Sequence, residues 1–189
     1  PRPEMRDTTH TPLLGIDFGT SNTAAALVDA RGQLQALAQD EGHTSMPTAL
    51  FFSSEDSTVA YGRAAMRAYL EGTEGRLLRS IKSLLGSSLI DEQTLLQGRM
   101  TSLFEVVVMF FAELKRRVEA QLGHPVHAAL LGRPVHFVDD DPVRDAQAQD
   151  TLRRAALAAG FTAVQFQLEP IAAAFDFEQR VQTDHTVLV

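Results

Sequence analysis

The chain has 189 residues, a formal net charge of −7 at pH 7 and no cysteine. Its seventeen basic residues are spread along the sequence, so neither nucleic acid nor an anionic membrane is expected as a partner. The absence of cysteine excludes disulfides, thiol catalysis and thiolate metal ligands, and it favours the cytoplasm. The longest apolar run, 106–112, is far shorter than the ~20 residues that cross a bilayer.

The first part of the sequence predicts a polar leader followed by an antiparallel meander. Residues 1–11 are polar and interrupted by proline, which is typical of a disordered leader. Short apolar runs then alternate with glycine-containing turns, such as Arg31-Gly32, a pattern that predicts hairpins. The strands predicted for the meander are 13–18, 23–29 and 33–37. Another strand is predicted at 46–53, after a polar loop.

Residues 54–100 differ in character from the segments on either side. Short helical patterns at 62–70 and 76–85 alternate with turns that contain glycine and serine. This change in pattern predicts a small inserted α/β subdomain over 45–100.

A helix at 102–122 is the clearest single element. Ser102 and Glu105 form a capping box, in which each side chain accepts a hydrogen bond from an exposed backbone amide. Gly123 supplies the left-handed residue that ends such a helix. Apolar residues at three-to-four spacing predict its buried face: Leu103, Val107, Phe110, Leu114, Val118 and Leu122.

The remaining residues alternate strands with helices. The predicted elements are a strand at 127–133, an acidic loop at 139–145, a helix at 146–159 ending at Gly160, a strand at 164–168 and a helix beginning at Pro170. The last residues, 185–189, predict the start of another strand, so we expect the sequence to be part of a longer protein. The whole pattern predicts an α/β fold with a mixed sheet, an antiparallel meander plus parallel strands flanked by helices. The predicted core subdomain is 12–44 with 101–184.

The stretch "GIDFGTSNT" (15–23) ends the first strand in a glycine turn. Asp17-Phe18-Gly19 spells the magnesium-binding triplet of protein kinases, but the chain lacks their Gly-rich and HRD loops. P-loop and DxDGT-type phosphatase motifs are also missing. A carboxylate beside consecutive turn amides and hydroxyls suits a hydrated Mg²⁺ and phosphate oxygens. The structural alternative is an ordinary hairpin whose Asp and Thr side chains satisfy the turn.

Six segments together resemble the heat shock protein 70 (DnaK-type) branch of the actin-like ATPase superfamily. In chain order they are "LLGIDFGTSNTAAALV" (13–28), "DEGHTSMPTALFF" (40–52), "YGRAAM" (61–66), "RSIKSLLGSS" (79–88), "HAALLGRPVHF" (127–137) and "AALAAGFTAVQFQLEPIAAAFDF" (155–177). Their order and spacing follow the family over about residues 12–189, and the wording of the last two is similar to a divergent bacterial branch. The resemblance implies an actin-like ATPase (ribonuclease H-like) fold, of which this chain is the N-terminal lobe.

The resemblance also implies a role for each matching residue. Asp17 and Glu169 would contact Mg²⁺ through its water, and Lys82 would neutralise the γ-phosphate and place the attacking water. The β,γ-phosphates of ATP or ADP would lie against the turn residues Gly19, Thr20, Ser21 and Asn22. Without this context, Lys82 is typical of a solvated lysine and Glu169 of a carboxylate at a helix start.

For the parent protein, the resemblance implies ATP hydrolysis that regulates the binding of unfolded polypeptides, with co-chaperones as further partners. The second phosphate loop would follow residue 189, so we expect this lobe alone to be inactive and to need a second lobe as intramolecular partner. Pro134 matches a proline that relays nucleotide state. Its family partner is an arginine, but Gln149 stands at the aligned position, which puts interdomain coupling in doubt.

Two alternative functions stay open at the level of sequence. A sugar or acid kinase of the same superfamily would share the opening loop but use a carboxylate as base toward a substrate hydroxyl. A scaffold protein would keep the fold without hydrolysing nucleotide.

Overall fold

A computed structural model describes residues 13–28 and 33–171 of the chain. The strands in these ranges are β1 (Leu13–Phe18), β2 (Asn22–Val28), β3 (Leu34–Ala36), β4 (Ser45–Pro47), β5 (Ala49–Ser53), β6 (Val59–Tyr61), β7 (Gly75–Arg79), β8 (Gln93–Leu96), β9 (Arg99–Ser102), β10 (Ala128–Arg133) and β11 (Ala163–Leu168). The α-helices are α1 (Arg63–Leu70), α2 (Leu103–Leu122) and α3 (Pro142–Ala158). None of these described helices combines the length and apolar character needed to span a bilayer.

The main sheet is mixed, as the sequence predicts. Its strand order is β11-β10-β1-β2-β3, and β4 pairs with the other end of β2. The pairs β1–β10 and β10–β11 are parallel, whereas β1–β2, β2–β3 and β2–β4 are antiparallel. The predicted meander and the predicted parallel strands are therefore confirmed, with Arg31-Gly32 lying outside the described residues.

One face of the main sheet packs against α2 and α3. Alternate residues of β1, such as Ile16 and Phe18, are buried on this face. The Phe18 ring lies 5.8 Å from the Phe110 ring and 4.9 Å from the Phe111 ring, measured between centroids. Because the side chains of a strand alternate between faces, Asp17 projects from the opposite face. Phe18 is thus a core residue rather than part of a kinase-type triplet.

Local contacts define both ends of α2, where the sequence predicts them. Glu105 N donates to Ser102 Oγ at 3.1 Å, and Ser102 N donates to Glu105 Oε2 at 2.8 Å, which completes the predicted capping box. Gly123 caps the other end with φ 74°. The predicted central positions are buried, and Val106 and Phe111 widen that face.

Ser102→Ala is expected to lower the free energy of unfolding by about 1 kcal/mol, because the amide of Glu105 would lose its side-chain acceptor at the helix start. Urea denaturation followed by circular dichroism measures this change. An unchanged denaturation midpoint would show that the capping hydrogen bond contributes nothing to stability.

The prediction of one strand at 46–53 is wrong, because the chain changes sheets at Thr48. β4 pairs with β2 in the main sheet, whereas β5 is the central strand of a separate sheet of order β6-β5-β7. Thr48 between them bonds the turn after β1, as described below, and this pulls the chain away from a straight course. The division into core and inserted subdomains stays a prediction.

The predicted helix at 76–85 is also wrong. Residues 75–79 form β7, which pairs antiparallel with β5 along its whole length. Ser80, with φ 56°, ends the strand, and Ile81–Leu84 form a short 3₁₀ helix. The residues of this segment favour a helix locally, but pairing with a distant strand outweighs that preference. The hairpin β8–β9 was not predicted at all.

The second long helix begins earlier than predicted. α3 starts at Pro142 rather than at 146, because Asp141 caps it by accepting a hydrogen bond from Arg144 N at 3.0 Å. Proline at the first helical position needs no amide partner. Residues 169–171 begin another helical turn, so only the start of the helix predicted at Pro170 is described. The strand predicted at 185–189 lies outside the described residues.

Candidate functional site

The turn between β1 and β2 is tight and largely exposed. Gly19 N donates to the Asn22 carbonyl at 3.0 Å, and a Cβ at Gly19 would collide with that oxygen, so no other residue fits there. The three following residues, Thr20, Ser21 and Asn22, are exposed. Their amides and side-chain donors are thus available to an anion approaching from solvent.

Thr48 holds this turn from beneath, a role that sequence reasoning missed. Its hydroxyl donates to the Gly19 carbonyl at 2.9 Å, and its amide donates to the Ser21 carbonyl at 2.9 Å. The hydroxyls of Thr48 and Thr23 lie 2.9 Å apart and both side chains are buried. The turn is therefore fixed by buried hydrogen bonds while its outer surface stays open.

Three charged side chains converge next to the turn. Lys82 lies on the 3₁₀ helix after β7, and Glu169 follows the end of β11. Lys82 Nζ donates to Glu169 Oε1 at 2.9 Å, although the two residues are 87 positions apart. Asp17 is close enough to both for their charges to influence its titration. The structure thus brings the three candidate catalytic residues together.

The surroundings of Asp17 penalise its charged form. Its side chain is solvent-accessible, yet crowding by neighbouring atoms raises the pKa of the carboxyl above the ordinary 3.8. The negative charge of Glu169 raises this pKa further, and the positive charge of Lys82 lowers it. A second positive charge at this position would relieve the crowding of two carboxylates.

Asp17→Asn is expected to stabilise the fold at neutral pH, by no more than about 1 kcal/mol because solvent reaches the side chain. The folded-state pKa lies above the unfolded value, so ionised Asp17 opposes folding. Stability should fall as the pH rises from 3.8 through the raised value, and asparagine should remove that part of the pH dependence. Urea midpoints at neutral pH and about pH 4 measure the effect. Equal midpoints for both proteins at neutral pH would contradict this prediction.

The open face of the main sheet carries a cavity of about 470 Å³ that reaches the charged cluster. Asp17 and Glu169 border it together with Gly132 of β10 and Gln167 of β11. Small residues such as Ala24 and Ala26 form its floor along β2. Space for a ligand or another polypeptide segment therefore lies directly beside the two carboxylates.

The cluster fits Mg²⁺ held through its water rather than by direct protein ligation. In the described ranges, no three His, Cys, Asp or Glu side chains come together as a metal-binding group. Two carboxylates next to exposed backbone amides suit an ion that keeps most of its water and is bound partly through phosphate. Lys82 adds the positive charge that a polyphosphate requires.

Gln149, predicted to replace a relay arginine, is bonded to an arginine from another element. Arg133 Nη1 donates to Gln149 Oε1 at 2.5 Å, and Arg133 Nη2 lies 2.9 Å from Asp145 Oδ2. The same guanidinium donates to the Pro134 and Val135 carbonyls. The loop after β10 is thus attached to α3 through the residue that precedes Pro134.

A family model described as "Hsp70 protein" matches residues 13–189. The mixed sheet with its flanking helices agrees with the α/β actin-like ATPase fold of that family. The match does not distinguish the divergent bacterial branch, which stays a prediction. A match over nearly the whole sequence nevertheless shows the family: the chain belongs to the heat shock protein 70 family, whose domain here is a chaperone-type ATP-binding domain.

Proposed function

We propose that this chain is the N-terminal lobe of the ATP-binding domain of a molecular chaperone that hydrolyses ATP. The observation that supports this most is the meeting of Lys82, Glu169 and Asp17 beside an exposed glycine turn. These residues come from widely separated parts of the sequence, and a hairpin that merely satisfied its own turn would not need them.

Each part of the cluster has a distinct task in this proposal. The β,γ-phosphates lie against the turn formed by Gly19, Thr20, Ser21 and Asn22, whose amides donate to phosphate oxygens. Lys82 stabilises charge on the γ-phosphate and orients the attacking water. Asp17 and Glu169 hold Mg²⁺ through its water, and the ion when bound neutralises charge on the β- and γ-phosphates. Water then attacks the γ-phosphorus in line as the bond to the bridging oxygen of ADP breaks.

In the parent protein, hydrolysis would change the closure of a cleft between this lobe and a second one. Closure would alter the affinity for unfolded polypeptide, with co-chaperones acting on the same cycle. We place this cycle in the cytoplasm, in accord with the absence of cysteine.

The 189-residue chain alone is expected to show no useful steady-state ATP hydrolysis, because one jaw of a clamp cannot exclude water or complete the charge around the γ-phosphate. Phosphate release from purified protein, compared with an Asp17→Ala variant, measures this. Steady turnover by the chain that disappears in the variant would contradict the expectation of inactivity. Failure of the longer protein to bind Mg·ATP would instead favour the scaffold alternative.

A further inference from the structure

The geometry points to Gly132 as a positioning residue of the phosphate site: by having no side chain, it leaves the space in which Glu169 folds back to reach Lys82. Gly132 pairs with Gln167 across the parallel strands β10 and β11. It borders the open cavity together with Asp17 and Glu169. Glu169 follows β11 by one residue, so its side chain must cross over β10 to reach Lys82.

The contacts around Gly132 show why a side chain would interfere. An added Cβ would lie 3.2 Å from Glu169 Cγ and 3.6 Å from Glu169 Oε1. The first distance is closer than ordinary van der Waals contact, so even alanine would force Glu169 to move. The same carboxylate oxygen bonds Lys82 at 2.9 Å. Any shift of Glu169 is therefore passed directly to the candidate catalytic lysine.

The backbone gives no other reason for glycine at this position. Gly132 is not among the residues with positive φ, so an L-amino acid can adopt its conformation. Glycine inside a strand lowers stability, and its presence often marks a close approach of another group. Here the approaching group is the Glu169 side chain.

Gly15 offers a matched control on the same face of the sheet. It lies in β1, borders the same cavity and also lacks a positive φ. An added Cβ there would meet only the Ala26 carbonyl, at an ordinary 3.5 Å. Gly15→Ala thus reproduces the change in backbone entropy and strand propensity without touching Glu169.

The ammonium signals of ¹⁵N-labelled lysine provide a readout that needs no nucleotide. The sequence has only two lysines, Lys82 and Lys115, and both are ion-paired with side chains 13% and 14% exposed. We expect Gly132→Val to shift or broaden the Lys82 signal as strongly as Glu169→Ala, and Gly132→Ala to do so less. Gly15→Ala should leave it unchanged, and Lys115 should stay constant throughout.

A Lys82 signal that is unchanged in both Gly132 variants would overturn the inference, as would an equal change in Gly15→Ala. Should Gly132→Val fail to fold, Gly132→Ala decides between these outcomes. Circular dichroism of each variant confirms folding.

A second readout rests on the proposed function. Gly132→Val is expected to weaken Mg·ATP binding about tenfold, corresponding to one charged contact. In a Glu169→Ala background the same substitution should have no effect, because no Glu169 side chain remains to be displaced. An undiminished loss in that background would reject a role through Glu169. If the unmodified chain does not bind Mg·ATP, the proposed function fails, while the ammonium signals still decide the role of Gly132.

Discussion

Asp40→Ala is expected to lower the free energy of unfolding by about 3–5 kcal/mol, since it removes one partner from a buried ion-pair network. The Asp40 side chain is only 3% exposed. Its Oδ1 accepts a hydrogen bond from Arg117 Nη1 at 2.8 Å, and its Oδ2 accepts one from Arg63 N at 2.6 Å. One carboxylate thus joins the loop after β3 to α2 and to the first turn of α1.

The loss is large because the remaining groups cannot all find water. Arg117 keeps Glu113 and the Gln39 carbonyl as partners, but its guanidinium is mostly buried and would lose one of its two carboxylates. The amide of Arg63 at the start of α1 would lose its acceptor. Leaving such donors unpaired costs more than the intact hydrogen bonds contribute.

The neighbouring Glu41 provides the control for this measurement. It pairs with Arg67, but both side chains are about half exposed, so Glu41→Ala should leave the urea midpoint unchanged. Equal midpoints for Asp40→Ala and Glu41→Ala would contradict the role assigned to the buried network.

Lys82→Gln is expected to weaken the binding of Mg·ATP by about 30- to 150-fold, equivalent to roughly 2–3 kcal/mol. The Lys82 ammonium is mostly buried and is the positive charge that approaches Asp17 and Glu169 together. Its removal would leave two carboxylates facing a polyphosphate without compensation. Because Lys82 lowers the pKa of Asp17, the substitution should also raise that pKa further.

Lys115 is the only other lysine and serves as the matched control. It is equally sheltered and ion-paired, but with Glu119 within α2, away from the turn. Lys115→Gln should leave Mg·ATP affinity unchanged, as measured by isothermal titration calorimetry. Tripolyphosphate should follow the same order of affinities as ATP, because the lost contact is to phosphate. A loss of similar size in both lysine variants would contradict a specific role for Lys82.

The elements that could be predicted from sequence are those whose ends depend on nearby residues. α2 was located at both ends because Ser102, Glu105 and Gly123 act within a few positions of one another. The strands β1 and β2 were likewise evident from apolar runs on either side of a glycine turn.

The elements that were missed depend on distant partners or on unusual turn residues. β7 is a strand because β5 lies beside it, which local propensity does not reveal. The β8–β9 hairpin turns at Gln97 and Gly98, whose φ values are 51° and 77°. Such a turn normally contains Asn or Asp before the glycine, so glutamine hid the signal.

The site shows the same division. Asp17 and the turn after it were recognisable from the local sequence, whereas Lys82 and Glu169 were identified only through family resemblance. The contact between them depends on the packing of the whole chain. Thr48 carried no recognisable signal, but Gly132 did, as an isolated glycine inside a predicted strand.

Titration of the ¹⁵N-labelled chain with Mg·ATP tests the proposed phosphate site most directly. We predict saturable shifts concentrated at the amides of Gly19–Asn22 and at the Lys82 ammonium, which would exchange Glu169 for phosphate oxygen. The Lys115 ammonium should not respond. Shifts confined to other surfaces, or the absence of any saturable change, would contradict the assignment of this turn and its charged neighbours as a nucleotide site.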